Sequence, residues 1–278
     1  MKKNMVSKLL TSGWPQVLND AATNVRKVVR GALVKRATLD VKELKNLLDD
    51  EAQNAIADTL RENGEPVTVV SEEGDYKIGE DGPCLIVDPV DGTTNLARGI
   101  PLAVTSLALS ETPLMSGVQI GVIVDLYTGE TYRAERDRGA WRGGKRLHTT
   151  GTRNLKEAVV SIDISKGSPV KPVEQVIYKA RSLRQLGCSA LATSLVASGV
   201  MDAHVDVRGS LRTTDIAAGL LILREAGGTY TINGELGKDF PLIRDEKLRL
   251  IAATNPHILE EIISLLQGGN QRCASHSP

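Results

Sequence analysis

The stretch Ile86-Val87-Asp88-Pro89-Val90-Asp91-Gly92-Thr93-Thr94-Asn95 constrains this chain more than any other. It sets two carboxylates three residues apart where the apolar run Cys84-Leu85-Ile86-Val87, a predicted strand, gives way to a turn and then a helix. Pro89 fixes its own φ and bars a regular strand from continuing, which lets the two acids splay toward one point. Gly92 lets the backbone turn sharply, and the amides after it are the unpaired donors that open a helix. Carboxylates beside free amides at a helix start can hold a divalent cation and a phosphate together. Asp-Pro and Asp-Gly are also ordinary turn dipeptides, so alone the same residues read as well as a solvated turn or an N-cap.

Two further acidic sites shift the balance. Val67-Thr68-Val69-Val70-Ser71 is a β-branched strand that ends in Glu72-Glu73 before Gly74. Downstream, Leu211-Arg212-Thr213-Thr214-Asp215 leads into Ile216-Ala217-Ala218-Gly219, a helix start with small residues for close packing. Thr213 or Thr214 is the expected cap, with Asp215 in the first turn, where an acid also simply complements the helix dipole. All three features put an acid at a strand end or helix start, where open α/β layers build their sites.

Taken in this order, and with Glu225-Ala226-Gly227-Gly228 closing the third, these motifs resemble the inositol monophosphatase family of magnesium-dependent, lithium-sensitive phosphatases. The resemblance runs from about residue 15 to about residue 267. Gly99-Ile100-Pro101 and Asp206-Val207-Arg208 through Leu211-Arg212 look most like the archaeal branch, associated with inositol-1-phosphate and fructose-1,6-bisphosphate. The resemblance implies Glu72, Asp88, Asp91 and Asp215 as side-chain ligands of two magnesium ions, with the Val90 carbonyl adding an oxygen. A third ion would be held more weakly, and manganese could substitute. Such hard oxygen donors suit these metals and not zinc. Cys84, Cys188 and Cys273 are too dispersed, and the histidines too scattered, to form a competing set.

By the same resemblance Glu72 and Thr93 orient an attacking water, Glu72 helps draw off its proton, and Asp91 belongs to the catalytic set. The Gly92 and Thr93 amides receive the phosphate, with Asp91, Ser189 and Arg208 also at the substrate. No covalent phosphoenzyme is expected, because Asp88 and Asp91 are engaged as ligands. Haloacid-type phosphatases space their two aspartates by two residues; here the spacing is three.

Arg208 stands where animal members carry an acid that accepts inositol hydroxyls. A guanidinium cannot accept a hydrogen bond but can fork onto a phosphate, which favours a second anionic group such as that of a sugar bisphosphate. Pairing with nearby Asp206 is the structural alternative. Arg98, Arg181, Arg184 and Arg212 are further candidates for a second phosphate. Gly187-Cys188-Ser189-Ala190 is read either as a substrate-facing turn or as a tight strand-to-helix connection. Asp49-Asp50 falls near a family position facing the metals, but a solvated helical face is expected there. The family's loop between its first two helices is not recognisable in Lys35-Arg36-Ala37-Thr38-Leu39-Asp40, and Thr214 replaces a usual Trp.

Lys+Arg and Asp+Glu both total 34, which leaves no net charge to favour nucleic acid or an anionic membrane. Two Trp, five Tyr and one Phe offer little for base stacking. No apolar run approaches the ~18 residues of a membrane span. Met1-Lys2-Lys3-Asn4-Met5 lacks the apolar core of a secretory signal, and three cysteines fit a reducing cytoplasm.

Helices are predicted over 15–35, 40–63, 172–182, 189–199, 214–226 and 256–266. Strands are predicted near 66–71, 84–87, 102–110, 117–126, 130–134, 158–164, 202–207, 229–232 and 248–252. The expected organisation is an α+β half over 1–150 built on an antiparallel sheet, an α/β half over 151–267, and an unstructured tail over 268–278. The family resemblance makes this a five-layered α-β-α-β-α sandwich with the site between the halves, and implies a homodimer acting on a small phosphorylated substrate. Two alternatives stand: a phosphatase of 3′-phosphoadenosine 5′-phosphate or NADP, and a catalytically weak, metal-binding regulatory member. The intact set Glu72, Asp88, Asp91, Thr93 and Asp215 argues against the second.

Overall fold

A computed structural model of the chain describes residues 13–165 and 167–274, with side chains as far as 267. Helices α1 (Trp14–Ala32) and α2 (Val41–Asn63) pack side by side, joined by a 3-10 turn over Leu33–Ala37. Leu18, Ala21, Val25 and Val29 recur at helical spacing and share a core with Leu44, Leu48, Ile56 and Leu60. Asp40 starts α2 with a capping box: its carboxylate accepts the Lys42 and Glu43 amides, and Glu43 accepts the Asp40 amide.

The first sheet has eight strands: β1 (Val67–Ser71), β2 (Tyr76–Ile78), β3 (Cys84–Asp91), β4 (Val104–Ser110), β5 (Val118–Asp125), β6 (Thr131–Glu135), β7 (Gly139–Arg142) and β8 (Lys145–Arg146). Their order is β2-β1-β3-β4-β5-β6-β7-β8. Neighbours are antiparallel, as expected, except β1 and β3, which run parallel. The exception positions the site, since the register Ser71↔Val87 brings Glu72 beside Asp88. Side chains alternate between faces: Leu85, Val87, Leu107 and Leu109 join the α1/α2 core, while Ile86 and Ala108 face the other way. The short helix α3 (Thr93–Arg98) follows β3.

The second sheet comprises β9 (Val159–Ile162), β10 (Ser182–Arg184), β11 (Ala203–Leu211), β12 (Thr229–Ile232), β13 (Glu235–Leu236) and β14 (Leu248–Ala253), in the order β10-β9-β11-β14-β12-β13. Helices α5 (Ser189–Ala197) and α6 (Thr213–Glu225) lie between the sheets, where Leu191, Val196, Ile216 and Leu220 share a core with Ile86, Ile123, Leu250 and Ala252. Helices α4 (Glu174–Lys179) and α7 (Pro256–Ala274) cover the outer face through Val176, Ile258 and Ile262. The result is the expected α-β-α-β-α sandwich. Its middle layer is tight: a Cβ at Gly121 would lie 2.9 Å from the Ala218 carbonyl oxygen, and one at Gly219 3.1 Å from the Thr193 Cβ. The run Ala217-Ala218-Gly219 is what lets α6 approach both neighbours.

Two local expectations change. The helix predicted over 172–182 divides into a 3-10 turn at Lys171–Val173, α4 and the strand β10. Arg181 and Ser182 donate to the Leu155 and Ala158 carbonyls, which draws the chain out of helix and onto β9. The unstructured tail expected from 268 is helical as far as Ala274. Gly268 and Gly269 each weaken a helix by only about 1 kcal/mol relative to Ala and keep their N–H donors, so an established helix carries through them. Residues 275–278, and the Met1–Met5 start, lie outside the described residues. Among the described residues no helix is long and apolar enough to cross a membrane.

Candidate active site

Pro89 does not end β3. The strand continues to Asp91 through a register shift against β4, where Asp88 opposes Ser106 and Asp91 opposes Val104. The extra residue forms a bulge, which is where a sheet tolerates a proline, and the buried Thr105 hydroxyl donates to the Pro89 carbonyl at 2.8 Å. Gly92 then turns the chain at φ 91° into α3. A Cβ there would lie 2.6 Å from the Leu102 carbonyl oxygen, so glycine is required on two counts.

Helix α6 starts differently from the expectation. Its cap is Arg212, an extended residue, and neither threonine fills that role. Thr213 is already helical and donates to the Ile243 carbonyl at 3.0 Å. The Asp215 carboxylate reaches back to accept the Arg212 amide at 2.9 Å, satisfying an N-terminal donor itself.

These elements converge on one cluster: carboxylate oxygens of Glu72, Asp88 and Asp215 lie within 4.8 Å of one another. Asp88 is 1% exposed, and neither of its oxygens has a hydrogen-bond partner among the described residues. Burial, then the charges of Glu72, Asp91 and Asp215, hold its pKa well above the usual carboxylate range. A buried carboxyl with both oxygens unsatisfied and acids for neighbours is strongly unfavourable by itself and fits a cation. Asp91 stands beside the cluster with Oδ2 accepting the Ala190 amide at 2.6 Å. Burial and then Asp215 push its pKa up to about 7.

Arg212 brings a positive charge to the cluster. Its guanidinium pairs with Glu72 and, at 3.1 Å, with Asp215. Burial works against that charge, but Asp215, Glu72 and Asp88 hold its pKa above the ordinary value. The guanidinium therefore sits on two of the three acids of this cluster.

Thr93 donates toward the Val90 carbonyl at 2.9 Å and lies 3.1 Å from Asp49 Oδ1. Asp49 is thus half-buried against the site, contrary to the solvated face expected of it, while Asp50 is exposed. The parallel β1–β3 pair and α3 bring Glu73, Glu72 and Thr93 against that face of α2. Burial, then Glu73, pushes the Asp49 pKa up to about 7, with the Thr93 hydrogen bond opposing. Lys45, one turn earlier, donates to the Thr94 hydroxyl at 3.1 Å, and Gln53, one turn later, accepts from Ser71 at 2.8 Å. That i, i+4, i+8 polar line was the available sequence signal for Lys45 and Asp49.

A cleft of about 840 Å³ opens over the cluster. Its lining includes Glu72, Asp88, Val90, Asp91, Gly92, Thr93, Ser189, Arg208 and Asp215, the ligand and substrate contacts implied by the family resemblance. Asn95 donates to the Leu186 carbonyl at 2.7 Å, and the Cys188 thiol donates to the Asp91 carbonyl at 3.3 Å, so residues 186–190 form a wall fixed to the β3–α3 turn. Burial, then Asp91, raises the pKa of that thiol well above its ordinary value. Of the other arginine candidates only Arg212 lines the cleft; Arg98, Arg181 and Arg184 are exposed elsewhere. Arg208 lines it with its guanidinium already paired to Asp206 and Asp163. Lys45 and Lys247 are lining cations that the sequence did not single out.

The chain matches the inositol monophosphatase family over residues 13–271. It belongs to that family. Membership places it among the phosphatases. It is 34% identical over 234 residues to a fructose-1,6-bisphosphatase/inositol-1-monophosphatase of Methanothermobacter thermautotrophicus, covering 80% of this chain and 82% of that one. It is 28% identical to the Nus factor SuhB of Pasteurella multocida, over 79% of this chain and 81% of the relative. The crystal structure of the extragenic suppressor protein suhB from Bartonella henselae superposes with a TM-score of 0.73 at 28% identity, covering 91% of this chain and 97% of that one.

Within this inositol monophosphatase-family site, Arg212 competes for the acids that can hold a metal. The chain carrying Arg212→Gln is expected to bind a divalent cation at these acids about tenfold more tightly, the equivalent of one partly buried ion pair released. Its metal-free form melts at lower temperature. Calorimetric titration and thermal melts of the two proteins check this, and an unaltered affinity contradicts it.

Proposed function

We propose that the protein is a magnesium-dependent phosphomonoesterase of small phosphorylated polyols or sugars, with inositol-1-phosphate and fructose-1,6-bisphosphate as the leading substrates. The observation that carries this reading is Asp88, a fully buried carboxylate with two unpartnered oxygens facing Glu72 and Asp215. Glu72, Asp88, Asp91, Asp215 and the Val90 carbonyl would hold two magnesium ions, with a third held more weakly and manganese able to substitute. Bound there, the ions supply Lewis acidity to phosphate oxygens and lower the pKa of an attacking water.

The remaining work falls to the chain. The Gly92 and Thr93 amides, at the start of α3, would receive phosphate oxygens, with Ser189 also lining the cleft. Thr93, held between the Val90 carbonyl and Asp49, orients the water, and Glu72 helps to take its proton. Asp91 keeps one oxygen on the Ala190 amide, which fixes the direction of the other. As metal ligands Asp88 and Asp91 would be occupied and not free to attack phosphorus, so transfer would go directly to water. Sparse cysteines favour a cytoplasmic setting, and the family resemblance a homodimer.

A second reading has one observation in its favour, the relative named as a Nus factor. It makes this chain a binding partner in which catalysis is secondary. Phosphate release from inositol-1-phosphate and fructose-1,6-bisphosphate distinguishes the two. The phosphatase reading expects turnover in magnesium, its loss in EDTA, and its loss in Asp91→Asn. A folded, magnesium-binding protein that releases phosphate from neither ester supports the binding role instead.

A further inference from the structure

Arg208 projects from β11 into the cleft, but its guanidinium is largely committed. Nε and Nη2 grip Asp206 at 2.9 and 2.5 Å, and Nη1 meets the Ser165 hydroxyl at 2.7 Å and Asp163 Oδ1 at 3.1 Å. Four of the five N–H donors are thereby engaged. The side chain is 9% exposed and its two carboxylate partners are 9% and 0% exposed, so the group is a buried unit with two negative charges and one positive. A phosphate arriving there would meet net negative charge and would have to displace Asp206 from a fork. That is a poor anion receptor.

The same unit is well made for a hydroxyl. Asp163 lies just past the end of β9, 8% exposed, on the lining of the cleft beside Arg208 and Ser165. Its Oδ1 is saturated by the Ser165 amide at 3.0 Å, the Ser165 hydroxyl at 2.7 Å and Arg208. Oδ2 has no partner among the described residues, and Asp163 is locked in place by the contacts to Oδ1. A fixed, half-satisfied carboxylate on a cleft wall is placed to accept a hydrogen bond from a substrate O–H.

We infer that Asp163 is a specificity-determining residue of this cleft, accepting a hydroxyl of the substrate polyol through Oδ2, and that Arg208 is the positioning residue that holds it. An arginine at 208 offers no hydroxyl acceptor, and the acceptor is supplied from the end of the neighbouring strand instead. The inference rests on the phosphatase reading above and sharpens it: the far end of the cleft selects a hydroxyl-bearing, singly phosphorylated substrate over one with a second phosphate at that end.

The test is steady-state kinetics in saturating magnesium on inositol-1-phosphate, fructose-1,6-bisphosphate and p-nitrophenyl phosphate, which has no polyol hydroxyl. In Asp163→Asn, KM for inositol-1-phosphate rises about tenfold with kcat within about twofold of the parent. Its kcat/KM relative to p-nitrophenyl phosphate falls by the same factor, and the bisphosphate-to-monophosphate ratio rises. Arg208→Gln, which frees Asp163 to turn, moves the same ratios in the same direction. Equal losses on all three esters in both variants would reduce Asp163 to a structural role and overturn the inference. So would a loss in Arg208→Gln confined to the bisphosphate, which makes Arg208 the phosphate receptor. If the parent protein hydrolyses none of the three esters, the phosphatase reading itself fails. Turnover of p-nitrophenyl phosphate with an inositol-1-phosphate KM unmoved by either variant sinks the specificity inference alone.

Discussion

Asp88→Asn is expected to lose at least about three orders of magnitude in kcat while making the metal-free protein more stable. The loss follows from removing a ligand of the proposed magnesium centre, since about 4 kcal/mol of charge stabilisation in the transition state is a factor of about 10³. The stabilisation follows from the fold. Asp88 is buried without a partner among Glu72, Asp91 and Asp215, and the amide removes the charge at nearly constant shape. Relief of about 2 kcal/mol corresponds to a melting temperature roughly 4–8 °C higher. Activity assays and thermal melts in EDTA check both halves. A variant that is inactive and also less stable contradicts the second.

The pH dependence carries the same sign. The folded-state pKa values of Asp88, Asp91 and Asp49 are all raised, the last two to about 7. A carboxyl raised in the fold contributes stability below its unfolded pKa of about 4, and that contribution is lost as pH rises through the folded value. In EDTA these groups therefore destabilise the chain progressively between about pH 4 and 7, the reverse of a salt-bridged aspartate. Asp88→Asn flattens the curve, and saturating magnesium flattens it further.

Thr93→Val should lower kcat about 10²-fold at nearly unchanged KM. Valine keeps the shape but removes the hydroxyl that joins the Val90 carbonyl to Asp49, and positioned proton-transfer groups contribute about 10²–10⁴-fold. Asp49→Asn acts on the same hydrogen-bonded unit, so the double variant should be scarcely worse than Thr93→Val alone. Multiplying losses, or a change confined to KM, would show that the two residues serve substrate binding separately.

The acids of this site were legible because their signals are local. The carboxylates of Asp88 and Asp91 flank a proline and precede a glycine, and each of those residues does in the fold what its backbone chemistry dictates, although Pro89 does so as a bulge within β3 and not as its end. What the sequence hid depends on pairing between distant segments. Asp49 reads as a solvated helix residue until the parallel β1–β3 register and α3 bring Glu72, Glu73 and Thr93 against it. Arg208 reads either as a guanidinium free for phosphate or as the partner of Asp206; the structure shows the pairing, and β9 adds Asp163 beside it, a contact that no spacing encodes. Arg212 reads as one basic residue among several, yet its position as the cap of α6 directs it onto Glu72 and Asp215. The short strands β2, β8, β10 and β13 were missed because two or three residues carry no readable alternation.

The most direct test is to strip the protein with EDTA, titrate magnesium back under calorimetry, and follow phosphate release from inositol-1-phosphate over the same titration. The account predicts saturable magnesium binding, turnover that rises with occupancy, and loss of both in Asp88→Asn. Turnover that persists without metal, or magnesium binding that is indifferent to Asp88, would contradict it.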